Sequence, residues 1–113
     1  MREDDHRKAA EEIERDIATL RANAGTHRAI IELAWGAGFH WVAYGSQRKH
    51  QKHRENHQGL ASYLDGLNEG LVASYWRDFE QLRQGGFYGH QNDAVHVTAA
   101  LNMLANLRHW ATM

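Results

Sequence analysis

Apolar residues recur at spacings of three and four along almost the whole chain, and this pattern restricts the fold more than any other feature. Ala10, Ile13, Ile17, Leu20 and Ala24 form one such stripe, which predicts an amphipathic helix from about Glu3 to Ala22. Asn23 and Gly25 end it, and Thr26 is placed to cap the next. From about His27 to Ser46 the pattern changes. Ile30, Ile31, Leu33, Ala34, Trp35, Ala37, Phe39, Trp41, Val42 and Ala43 leave little polar face. A helix apolar on most sides packs at the centre of a bundle, and Gly36 and Gly38 let another backbone approach it. Leu60, Tyr63, Leu64 and Leu67 mark a short third helix with Asn56 as its cap. Val72, Tyr75, Trp76, Phe79 and Leu82 mark a fourth, which runs into the glycine-containing stretch QGGFYGH. Val97, Ala100, Leu101, Leu104 and Leu107 mark a fifth, capped by Asn92 or Asp93.

The expected fold is therefore all-α. It is one domain over residues 1–113, an up-and-down bundle of about five helices, because short links favour antiparallel neighbours. The absence of proline suits that reading. Trp35, Trp41, Trp76, Phe79 and Leu104 each sit on an apolar stripe and are expected in the core. The second helix carries more apolar surface than a bundle this small is expected to cover, which predicts a homodimer. Without cysteine there are neither disulfides nor thiolate metal sites. No apolar run approaches the roughly 20 residues of a membrane span. The stretch Met1 to Asp5 is polar and unlike a signal peptide, so a cytoplasmic location is expected.

Charge is unevenly placed. Half of the 14 acidic residues lie in the first turns of the chain: Glu3, Asp4, Asp5, Glu11, Glu12, Glu14 and Asp16. The remainder is slightly basic and holds all of the nine histidines except His6. That part of the molecule can attract an anion although the whole chain is near neutral.

Three constellations carry possible chemistry. Arg83 and His90 stand in RQGGFYGH with six residues between them. Arginine is a permanently charged fork for phosphate, and histidine moves protons near neutral pH. Together they are a minimal kit for cleaving RNA without a metal: a base for the ribose 2′-OH and a cation for the charge that develops on phosphorus oxygens. If the stretch is helical they share a face; if the glycines break it they bracket a loop. Taken alone, the pair reads more readily as a helix-end arginine and a solvated histidine. Arg48, Lys49, Lys52 and Arg54, with His50, His53 and His57 interleaved, suit either a surface that tracks a nucleic-acid backbone or a solvated connector. His50, His53 and His57 would share one face of a helix, but the segment reads as a loop or a helix end. With Glu55 expected to point elsewhere, no metal site and no cofactor is predicted. Tyr75, Trp76 and Phe79 read as core. Phe87 and Tyr88 adjoin the Arg–His pair and are left open between core and site.

The order of these features resembles the HEPN domains, the higher-eukaryote and prokaryote nucleotide-binding family. AWGAGFHWVAYG leads into a basic segment, followed by HQGLASYL, ASYWRDFEQLRQGGFYGH and a last amphipathic helix. The likeness runs from about residue 5 to 111. Arg83 and His90 match the family's short Arg–His motif at the end of the penultimate long helix, and Gln84 is a polar residue after the arginine. The resemblance implies a dimeric helical bundle and a metal-independent endoribonuclease of a toxin–antitoxin or defence system. It casts His90 as the acid/base and Arg83 as the phosphate clamp, two pairs meeting across a dimer interface, with a cyclic phosphate left on the product. Gln84, Tyr88, Arg48, Lys49, Lys52 and Arg54 would contact the RNA. The alternative it implies is a non-catalytic module that binds RNA or nucleotide and partners a minimal nucleotidyltransferase as antitoxin. Some members carry a tyrosine two residues after the histidine, which that partner modifies; here the position is Asn92.

Overall fold

The computed structural model describes residues 2–21, 26–88 and 93–113, with backbone alone at 86–88. These residues form five helices: α1 (Glu3–Leu20), α2 (His27–His50), α3 (Leu60–Gly66), α4 (Gly70–Tyr88) and α5 (Ala94–Thr112). No strand occurs among them, and none of these helices is long and apolar enough to cross a membrane. The all-helical bundle expected from the periodicity is what forms.

α2 is the central element. Its 24 residues give a rod of about 36 Å, close to the 40 Å long axis of the molecule. α1, α4 and α5 all pack against it, and α3 packs on α4. Ile30, Ile31, Ala34, Ala37, Trp41 and Val42 are buried along it. Trp76 and Phe79 of α4, and Leu104 and Leu107 of α5, complete the core. Trp35 differs from expectation, because it lies at the rim, only partly covered. Leu33, Trp35, Phe39 and Tyr44 of α2 are only partly covered by the rest of the chain, and Leu71, Val95 and Met113 on other elements are exposed.

Three boundaries differ from the sequence reading. α2 continues past Ser46 to His50, so Arg48, Lys49 and His50 form its last turn. Their charge suits the negative end of the helix dipole, but a polar turn shows no apolar stripe by which to see it. α3 starts after Gly59, whose φ of 67° is a left-handed conformation that glycine adopts freely. Asn56 is not its cap; the Asn56 Oδ1 accepts a hydrogen bond from the Gln58 backbone N–H at 3.2 Å. α4 runs through Gly85 and Gly86 to Tyr88, so these two glycines do not break it. Asp93 caps α5 as expected, its Oδ1 accepting from the His96 N–H at 2.9 Å.

Two glycines of α2 let helices come close. A Cβ on Gly45 would overlap the Trp110 ring and lie 2.9 Å from the Ala111 Cα; one on Gly38 would lie 2.9 Å from Phe79. Gly36 is different, since its Cβ would meet nothing nearer than Ile13 at 3.9 Å. Gly45→Ala should therefore destabilise the fold by about 1–3 kcal/mol through overpacking. Gly36→Ala should be neutral or stabilising, by up to about 1 kcal/mol, from helix propensity alone. Urea unfolding of the two variants checks the contrast. Equal effects would mean that α2 and α5 are not this close.

Candidate functional site

Arg83 lies on α4, three positions past Glu80, and faces α2. Its Nε donates to the Glu32 Oε2 at 2.9 Å. Its guanidinium lies 4.0 Å over the Trp35 ring. Both partners come from α2, 51 residues away in sequence for Glu32. The two charged side chains are each 30% exposed, which leaves them open to a ligand but partly desolvated. Trp35 in turn rests on Trp76, ring centroids 5.5 Å apart. His57 meets Trp35 edge-on at 4.9 Å, and its Nδ1 lies 3.4 Å from the Glu80 Oε1. The cation is thus held over an aromatic ledge by a carboxylate, an arrangement that restrains its fork in space.

Beside this ledge opens a pocket of about 320 Å³ lined by Trp35, Gly36, Phe39, His40, Glu55, Asn56 and His57. At its far wall stands a second cluster. His6 on α1 is fully buried, with its Nδ1 2.9 Å from the His40 Nδ1. His53 places its Nδ1 2.8 Å from the Gln47 Oε1 and its Nε2 2.6 Å from the Glu55 Oε1. Burial pushes the pKa of both His6 and His40 down. Burial alone would raise Glu55, but the His53 hydrogen bond and the nearby His6 outweigh it and hold the carboxyl at about 2.

The residues singled out from the sequence separate into several places. Gln84 is exposed next to Arg83. Tyr88 ends the α4 backbone, and its side chain, like the whole of His90, lies outside the described residues. The members of the basic run take different partners. Arg48 donates to the backbone carbonyls of Ala111 and Met113 at the end of α5, and the Lys49 ammonium lies 5.6 Å over the Trp110 ring. Arg54 donates to the Gln58 carbonyl at 3.0 Å and reaches over Tyr63. Lys52 is exposed. The three histidines also part company. His50 turns to Glu69, His57 to Glu80 and Trp35, and only His53 joins His6. Glu55 does meet His53, because residues 51–59 are not helical and a two-residue spacing there can turn both side chains to one point.

Glu32, Trp35, His6 and Glu55 were not singled out as site residues. His6 had a usable signal. It lies one turn before Ala10 on the same stripe as Ile13 and Ile17, so the periodicity extended backwards lands on it. The pairing of Glu32 with Arg83 had none, since nothing local links residues so far apart. No protein-family model, curated protein or solved structure matches the chain.

Proposed function

We propose that this chain is a HEPN-like protein that acts on RNA, a metal-independent endoribonuclease in which Arg83 grips the phosphate and His90 moves the proton. The observation that supports it best is the mounting of Arg83. The Glu32 bond uses Nε, and no other hydrogen bond of Arg83 occurs among the described residues. The terminal nitrogens therefore retain the donors that a phosphate takes in bidentate fashion. The Trp35 ring, 4.0 Å from the guanidinium, helps to hold it in place. The Trp35 Nε1–H is buried without a partner among the described residues, one more donor at the same ledge. The reading includes a cytoplasmic homodimer in which two Arg–His pairs meet across the axis.

A second reading, RNA or nucleotide binding without cleavage beside a nucleotidyltransferase partner, draws on Glu32. A carboxylate already compensates the guanidinium, so an incoming phosphate must compete with it. Fluorescence anisotropy with a labelled single-stranded RNA tests what the two readings share. Arg83→Ala should weaken binding about tenfold or more, the 1.5–3 kcal/mol of a hydrogen bond to a charged group. Lys52→Ala should lower the salt slope by about one if that exposed lysine touches phosphate. RNA binding that ignores Arg83 would defeat both readings.

A further inference from the structure

Three side chains from two separate stretches, α1 and segment 51–59, converge at a point that neither RNA chemistry nor core packing accounts for. The His6 side chain is 1% exposed. Its Nδ1 is partnered by His40, but its Nε2 is buried with no hydrogen-bond partner among the described residues and lies 3.5 Å from the Glu55 Oε2. His53 is oriented in the same way, with Nδ1 on Gln47 and Nε2 turned to Glu55. One ligand atom each from His6, His53 and Glu55 falls within 4.8 Å of the others. A buried nitrogen without a partner is rare and calls for a missing bond.

Each imidazole thus has one nitrogen fixed by an outer partner and the other aimed inward, which is how proteins orient metal-bound histidine. We propose that His6, His53 and Glu55 bind a Zn²⁺ ion. Two imidazoles and one carboxylate suit zinc better than calcium or magnesium, which prefer all-oxygen sites. Zinc–ligand bonds of about 2.0–2.1 Å place tetrahedral donors roughly 3.3 Å apart, so on binding the wider separations close while the 2.6 Å His53–Glu55 contact opens. Glu55, 53% exposed, can make that movement because it sits in the non-helical segment 51–59. The ion would tie the first turn of α1 to that segment and so fix one wall of the pocket beside Trp35. His40 and Gln47 act as positioning residues. This inference stands apart from the RNA reading, which uses no metal.

Zinc chloride titrated by calorimetry into the full chain, stripped beforehand with EDTA, tests it. One ion per chain is expected, with a rise in melting temperature and, for Co²⁺ in its place, the strong visible bands of a four-coordinate site. Glu55→Gln and His53→Ala should each abolish stoichiometric binding. His40→Ala should weaken it about 10–100-fold. His50→Ala and His57→Ala, whose rings face other partners, should leave it intact. His6→Ala risks the fold, so the test relies on Glu55 and His53, the two less buried ligands. No stoichiometric binding by the parent chain, or binding that survives both Glu55→Gln and His53→Ala, overturns the site. Neither result bears on RNA cleavage in EDTA.

Discussion

Trp76→Ala should cost about 3–5 kcal/mol, the range for removing a fully buried aromatic side chain. Trp76 is 1% exposed and packs between Trp35 at 5.5 Å and Phe79 at 6.1 Å. Domains of this size have net stabilities of about 5–15 kcal/mol, so the variant should stand near the edge of folding. The consequence reaches the candidate site as well. Trp35 loses the ring beneath it, and Arg83 loses the rigidity of its ledge. Urea denaturation gives the stability, and RNA binding by the fraction still folded gives the second effect. A loss under about 1 kcal/mol would mean that the α2–α4 contact is not the one described.

Much of this fold is written in local spacing. Ala10 and Ile17, Val72, Trp76 and Phe79, and Val97, Ala100, Leu104 and Leu107 are all buried where their stripes place them. Each stripe is a short-range signal that one helix can carry alone. The end of α2 was less legible because Arg48 and Lys49 serve tertiary contacts with α5 rather than an apolar face. The rim position of Trp35 has a similar cause: its large ring covers Trp76 but leaves one side to the pocket. Arg83 was legible as a candidate from the residues around it. What holds it was not, because Glu32 and Trp35 meet it only when α2 and α4 pack. The cluster of His6 with His53 and Glu55 depends in the same way on α1 lying along α2.

His90→Ala should reduce RNA cleavage by about 10²–10⁴-fold, the usual worth of general acid–base catalysis, with the circular dichroism spectrum unchanged. Arg83→Lys should fail comparably. Lysine keeps the charge but has no fork to bridge two phosphate oxygens and no guanidinium to set over Trp35. It also cannot reproduce the Nε bond to Glu32 while presenting further planar donors. Time courses with a defined RNA check both variants. Activity retained by Arg83→Lys would show that charge alone is needed and that the geometry of the ledge is irrelevant. Activity retained by His90→Ala would remove the proton carrier from the proposed chemistry. Loss of cleavage with RNA affinity unchanged in His90→Ala would separate the roles as proposed, Arg83 binding and His90 reacting.

The central proposal is that this bundle cuts RNA without a metal, by attack of the neighbouring 2′-OH on the phosphate held at Arg83. The most direct measurement is incubation of the EDTA-treated parent chain with a defined single-stranded RNA, with the product ends identified by mass spectrometry. Cleavage should persist in EDTA and leave a 2′,3′-cyclic phosphate. RNA left intact, or cut only when a divalent cation is restored, would contradict it.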